Sequence, residues 1–298
     1  MNTRNIRFIS NKVKDIKGLY HADLDSIYGR GEVDAFLFML FEAFLGWDKV
    51  RLLTSSNQTV NQSDLLRFHW ALEDLKQYRP IQHIIGYTDF CGCRIAVSPD
   101  VLIPRPETEE MVQWIISTLN IQHPTFNILD LCTGSGSIAI ALKKAFPVAD
   151  VTAVDVSPEA LKMARQNAKN NDVEVRFVEG DVLAMSSIES TATVRYGLIV
   201  SNPPYVMEKE RMQMQRNVLD HEPALALFVP DDDPLRFYHA IAEIAKTHLS
   251  DDGLLAIEIN EVLADETSNL LRQRGFLPEI HSDFREKKRF ITAPRPSK

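Results

Sequence analysis

Apolar residues crowd nearly every side of the stretch EVDAFLFMLFEAFLGW, Glu32 to Trp47, and a glycine stands just before its end. That pattern predicts a helix buried in a small bundle rather than one lying on a surface. In SDLLRFHWALEDLKQY the residues Leu65, Phe68, Leu72 and Leu75 return at helical spacing, with Ser63 and Asp64 as N-cap candidates and Arg79-Pro80 as a stop. The aromatic residues of this segment fit core positions. The period then changes. Apolar residues alternate around Cys91-Gly92-Cys93, which predicts a hairpin. Pro104 and Pro106 interrupt it, and Glu107 or Thr108 can cap a helix running through EEMVQWIISTL. Beyond Pro124 strands and helices alternate. FNILDLC, DVTAVDV, VEVRFVEG, YGLIVSN and GLLAIEI read as strands, with KRFITA as the last; SIAIALKKAF, PEALKMARQNAKN and DETSNLLRQRGF read as helices, the last ending at Gly275. Such alternation predicts an α/β domain with a doubly wound, mostly parallel sheet. The organisation expected is a helical domain over 1–80, a hairpin linker over 81–105 and the α/β domain over 106–298.

Composition changes this picture little. The 298 residues are 45% hydrophobic and 25% charged, as in ordinary globular chains, and suffice for one large domain or two. A formal charge of −8 weighs against a broad nucleic-acid surface, which needs a basic field. Three cysteines are too few for a disulfide framework. Cys91-Gly92-Cys93 could be a metal or redox pair, but no second Cys or His cluster stands at ligand spacing, so no metal is expected. The first twenty residues contain no continuous apolar run of the signal-peptide kind, no stretch is long enough to span a membrane, and a cytoplasmic location follows as the default.

Four motifs carry candidate chemistry. In DLCTGSGSIAIAL, Asp130 to Leu142, a strand runs into Gly134-Ser135-Gly136 and then a helix. Glycines there let a ligand approach the backbone, and the helix start offers free N–H groups. The dinucleotide fingerprint would need a third glycine, where Ile138 and Ala139 stand. Asp155 closes the next strand about twenty residues on, where a carboxylate can accept from both ribose hydroxyls. Asp181, after the third strand, can accept from an adenine amine while Val182 packs on the ring; a helix N-cap is the plainer reading of the same aspartate. Finally Asn202-Pro203-Pro204-Tyr205 follows the fourth strand. The prolines remove two backbone donors and leave acceptors, the Asn202 side-chain oxygen and proline carbonyls. Beside an aromatic ring this makes a socket for a planar NH₂ group, either an amide or a nucleobase amine, with Tyr205 stacked on its face.

In this order the four motifs resemble the class I S-adenosylmethionine-dependent methyltransferases, and Asn-Pro-Pro-Tyr resembles those that methylate planar nitrogens. RPIQHIIGYTDFCGCRIAVSPDVLIPRPETEEMV together with HEPALALF and DPLRFY narrows the resemblance to the HemK/PrmC-type peptide chain release factor glutamine N5-methyltransferases. It covers the chain from about residue 79 onward, and the helical region before it matches in type. Two departures stand out: Cys132 where the family has glycine, and VPDDDP where it often has a Gly-Gly-x-Asp-Gly turn. The resemblance implies that Cys132, Thr133, Gly134, Ser135 and Gly136 contact the methionine part of S-adenosylmethionine, that Asp155 holds the ribose, and that Asp181 and Val182 hold the adenine. It implies that Asn202, Pro203, Pro204 and Tyr205 hold the target, the glutamine of the Gly-Gly-Gln motif in class I release factors. Asn202 and the Pro203 carbonyl would orient the amide and stabilise its growing positive charge, while the N-terminal helical domain helps dock the partner. Glu258 and Glu261, near the end of the fifth strand, either assist or are merely structural. Three alternatives remain: an N6-adenine nucleic-acid methyltransferase with the same socket, a ribosomal-protein glutamine methyltransferase, and a non-catalytic cofactor-binding adaptor. Neither a membrane nor direct nucleic-acid binding is expected.

Overall fold

The computed structural model describes residues 10–119, 126–184, 194–283 and 285–296. The first nine residues of the stretch read for a signal peptide lie outside these. Contacts group the chain into two units. One comprises the residues up to Gly86 together with Gln215–His221; the other comprises Tyr87–Met214 and the residues from Glu222 onward. The hairpin expected as a linker counts with the second.

The first unit holds helices α1 (Val13–Tyr28), α2 (Arg30–Leu45), α3 (Lys49–Thr54), α4 (Gln62–Lys76) and α5 (Ile81–Ile85). Val13, Ile16, Tyr20 and Leu24 form one buried stripe of α1, facing Val33, Leu37, Leu40 and Phe41 of α2 and Phe68, Leu72 and Leu75 of α4. The Tyr20 hydroxyl pays for its burial by donating to the Phe68 carbonyl at 2.6 Å. Three local expectations are corrected. The cap of α4 is Asn61, whose extended backbone lets its Oδ1 accept the Asp64 N–H at 2.9 Å, so Ser63 and Asp64 lie within the first turn. The helix ends at Lys76, before Arg79-Pro80, because Tyr78 turns to a φ of 61°. Trp70 is 50% exposed, on the side of α4 away from Phe68, rather than in the core.

The second unit opens with the hairpin β1 (Tyr87–Phe90) and β2 (Cys93–Ala96). Its two turn residues, Cys91 and Gly92, both have positive φ, the turn that matches strand twist. Helix α6 (Pro106–Thr118) starts with Pro106 in its first turn and no side-chain cap, so neither Glu107 nor Thr108 caps it. Then follow β3 (Asn127–Leu131), α7 (Ser137–Ala145), β4 (Asp150–Asp155), α8 (Pro158–Asn170), β5 (Arg176–Glu179), β6 (Tyr196–Ser201) and a two-residue β7 (Val206–Met207). The short α9 (Arg216–Leu219) belongs to the first unit, after which come β8 (Phe228–Val229), α10 (Arg236–His248), β9 (Leu249–Glu258), α11 (Ala264–Gln273), β10 (Glu279–Ser282) and β11 (Lys288–Pro294).

Among the described residues, seven strands form one sheet in the order β10-β11-β9-β6-β3-β4-β5. The five from β9 to β5 are parallel, and β11 and β10 add an antiparallel edge. This is the doubly wound, mostly parallel sheet expected, and alternate residues show its two faces. Ile128, Val200 and Ala256 pack with α6, α7 and α8, whereas Leu129, Ile199 and Ile257 pack with α10 and α11. Chain order reverses at β3, whose neighbours are β4 and β6, and ligands of open parallel sheets bind beyond the carboxyl ends of strands at such a point.

Candidate active site

The loops leaving β3, β4 and β5 are laced together. Thr133 N–H donates to the Val154 carbonyl at 3.0 Å, Gly180 N–H to the Asp155 carbonyl at 2.9 Å, and Gly134 N–H to Asp155 Oδ2 at 2.7 Å. Asp155 Oδ1 also accepts the Ser157 N–H at 2.9 Å. The Val156 N–H also bears on this carboxylate, which keeps at least one lone pair for a ligand hydroxyl. Burial pushes Asp155 above its ordinary carboxylate range in spite of these bonds. From α8, fully buried Asn167 donates to the carbonyls of Ser135 at 2.9 Å and Ala96 at 3.0 Å and accepts the Ala96 N–H at 2.8 Å, tying the glycine loop to the hairpin.

Below the loop sits Asp130, fully buried on the α7 face of β3. Its Oδ2 accepts the Thr133 hydroxyl at 2.5 Å and the Ala139 N–H at 3.2 Å. Among the described residues its buried Oδ1 finds no partner, and burial pushes the carboxyl up to about 7. Asp130 was legible as part of the first motif but carried no assigned role.

A cleft of about 240 Å³ opens at these strand ends, lined by Cys132, Thr133, Gly134 and Ser135, then Asp155, Asp181 and Val182, then Asn202 and Pro204. Three other residues expected at the site do not line it. Gly136, at φ 82°, instead lets α7 approach α8, since a Cβ there would stand 3.0 Å from the Ala164 Cβ. Pro203 is buried behind its neighbours. Tyr205 packs its ring against the core on the α10 side, and its hydroxyl donates to Glu258. A wider hollow of about 720 Å³ lies at the amino ends of the strands, beside Asn127, Asp150, Arg176 and Tyr196, and holds none of the motif residues.

The stretch around Asn202 is over-determined. Asn202 Nδ2 donates to Thr108 Oγ1 at 3.0 Å, and that hydroxyl donates to Glu258 Oε2 at 2.5 Å. Tyr205 OH reaches Glu258 Oε1 at 2.8 Å, and Asn260 Nδ2 reaches the Tyr205 carbonyl at 3.1 Å. Glu258 is 2% exposed, whereas Glu261 is about half-exposed and pairs with Lys287 at 3.6 Å. The outer wall of the cleft is tied by another buried acid. Glu222 accepts the Ile103 N–H at 3.0 Å and Arg105 Nη2 at 2.6 Å, joining the VLIPRPE segment to the HEPALALF segment. Sequence reasoning missed Thr108, Asn167 and Glu222. A glutamate inside the apolar run LLAIEI was the available signal for Glu258, since a charge in a buried strand must be paired.

The residues present fit S-adenosylmethionine. A Cβ built at Gly134 would meet no heavy atom within 4 Å, so glycine leaves space for a ligand against the backbone. Asp155 stands beside that space with acceptor capacity, and Val182 offers a buried apolar surface.

Residues 27–86 match the PrmC N-terminal domain and residues 109–225 the methyltransferase small domain. The release factor glutamine methyltransferase of Flavobacterium psychrophilum is 41% identical over 266 residues, 89% of this chain and 92% of that protein. The chain belongs to the release factor glutamine methyltransferase family. The Bacteroides thetaiotaomicron release factor glutamine methyltransferase is 40% identical, over 91% of this chain and 96% of that one. Among solved structures, a methyltransferase from Pyrococcus furiosus aligns at 18% identity with a TM-score of 0.47, covering 68% of this chain and 88% of that one, so placement in the family rests on the sequence relatives. The resemblance drawn from the motifs is thereby borne out. Cys132 carries a physical cost: its φ of 59° is left-handed, a conformation that glycine adopts freely.

Proposed function

We propose that this chain transfers a methyl group from S-adenosylmethionine to the side-chain amide nitrogen of the glutamine in the Gly-Gly-Gln motif of class I peptide chain release factors, in the cytoplasm, where translation terminates. The observation that carries the reading is the single cleft in which Asn202 and Pro204 meet the glycine loop, Asp155 and Asp181. The relatives' names support the release factor as substrate.

The bound cofactor supplies an electrophilic methyl group. The protein's task is the nucleophile, because an amide nitrogen is weak while its lone pair is delocalised. Asn202 Oδ1, the acceptor that lines the cleft, takes an N–H bond of the target, which fixes its rotation and favours the pyramidal nitrogen of the transition state. Positive charge grows on that nitrogen, and acceptors already in place stabilise it without reorganising. The two buried prolines hold the turn that carries Asn202 rigid. The surplus proton leaves after transfer, so no base is needed beforehand.

Intact mass of a class I release factor after incubation with the chain and S-adenosylmethionine should rise by one methyl group, located on the glutamine by fragment mass spectrometry. Methylation of adenine in DNA or RNA, or of a ribosomal protein in preference to the release factor, would replace this reading. Tight cofactor binding with no turnover on any release factor would mark an adaptor.

A further inference from the structure

Glu258 does not line the cleft; it reaches Asn202 through Thr108, a residue of the cleft wall, and the direction of every hydrogen bond between them follows from its charge. A carboxylate has no proton to give. Tyr205 OH and Thr108 Oγ1 must therefore donate to it, at 2.8 Å and 2.5 Å. Thr108, with its one proton committed, can only accept, and Asn202 Nδ2 donates to it at 3.0 Å. The amide cannot present both ends to Thr108, so its oxygen is the end left for the cleft that Asn202 lines.

We infer that Glu258, acting through Thr108, is a positioning group that sets the orientation of the Asn202 amide, its nitrogen held on Thr108 and its oxygen left for the substrate. The inference rests on the role proposed for Asn202 above. It has a chemical corollary. A protonated Glu258 donates to Thr108, whose hydroxyl is then free to donate to Asn202 Oδ1. The amide turns and meets the target NH₂ with its own NH₂, donor against donor. The groups facing Glu258 are Thr108 and Glu107 on α6, Tyr205, Tyr238 on α10 and Arg289 on β11. Burial and Glu107 raise the carboxyl, while the two hydroxyls and Arg289 lower it, and the balance lies above the ordinary carboxylate range. Turnover should therefore fail on the acid side at a higher pH than an exposed glutamate would dictate.

The test measures kcat on full-length release factor at saturating cofactor from pH 5 to 9, for the wild-type chain and for Glu258→Gln, Thr108→Val and Thr108→Ser. A glutamine at 258 can accept from Tyr205 and donate to Thr108, copying the acid form. It should lower kcat by about 10- to 100-fold, less than loss of the acceptor itself, and should abolish the acid limb. Thr108→Val keeps the carboxylate and breaks the relay, so a comparable loss is expected, and Thr108→Ser should recover most of it. Cofactor affinity by calorimetry should stay within about twofold throughout, which also shows that each variant folds. Exchange of the Asn202 side-chain amide protons, read by NMR, should be slow in the wild-type chain and faster in Glu258→Gln. Wild-type kcat and pH profile in Glu258→Gln or Thr108→Val, or losses confined to cofactor affinity, would overturn the relay. A wild-type chain that leaves the release factor unmethylated would instead sink the substrate reading, and the amide exchange would still decide the orientation.

Discussion

The division of labour at the site is separable one residue at a time. Asp155→Ala should weaken S-adenosylmethionine binding by roughly 1.5–3 kcal/mol, the scale of a hydrogen bond to a charged group, and it also frees the Gly134 N–H that the carboxylate holds. Asn202→Ala should leave that affinity nearly intact and cut turnover by about two to three orders of magnitude; calorimetry and methyl incorporation on both variants distinguish the two roles. Tyr205→Phe is not the silent change a purely stacking ring would allow. It strips a donor from the buried Glu258 carboxylate and should lower stability by about 1–3 kcal/mol in urea denaturation. Asp130 supplies the pH dependence. Its carboxyl is raised to about 7 from an ordinary value near 3.8, so the folded state holds a proton that the unfolded chain releases. Its contribution is thus fully present below the unfolded value and is lost as pH rises toward about 7. Asp130→Asn can keep both bonds to its Oδ2 position and should flatten the fall in thermal midpoint between pH 5 and 7. The acceptors and glycines of this site were legible because their chemistry is local in sequence. Thr108 was not, because only folding brings it to Asn202, 94 residues away.

At the scale of elements, the central strands β3 and β6 were readable because they bury both faces and so appear as nearly continuous apolar runs, whereas β5 is exposed at both ends. Helix α10 escaped notice although Tyr238, Ile241, Ala245 and His248 mark one buried face, and β10 escaped because its residues are only partly buried. Caps were the least legible feature. Asn61 displaced the candidates Ser63 and Asp64, and Thr108 spends its hydroxyl on Glu258 rather than on a helix end. Side chains that join elements leave no periodic trace at all. Asn167 links α8, the hairpin and the glycine loop by three hydrogen bonds. Asn167→Ala should therefore lower stability by at least about 2 kcal/mol, each stranded buried group costing about 1–3. It should also weaken cofactor binding, because Ser135 loses its tether; melting curves with and without S-adenosylmethionine read both effects.

At the scale of the molecule, every described residue lining the cleft belongs to the second unit, from Asp100 onward. A chain beginning at Tyr87 should still bind S-adenosylmethionine, yet methylate a full-length release factor far more slowly than the intact chain. A short Gly-Gly-Gln peptide should be a poor substrate for both, because binding energy from remote parts of the partner positions the reacting group. Equal rates on the full-length factor would remove the helical unit from substrate docking. In the shortened chain Gln215–His221 lacks the residues it contacts, Tyr78 beneath Arg216 and the Gln77 carbonyl beside His221, so limited proteolysis should cut there faster than in the intact protein.

That returning segment also sets an order of assembly during synthesis. Among the described residues the helical core draws on none beyond Ile85, so it can collapse once α5 has left the ribosome. The stretch that completes the unit ends at His221, 135 residues after Gly86 (221 − 86), which is a delay of about 7–27 s at roughly 5–20 residues per second. By then β1 through β6 have all been made. A nascent chain therefore carries a collapsed but unfinished helical unit while the catalytic sheet is still being laid down, and the bundle receives its last piece only after the Asn202 turn exists.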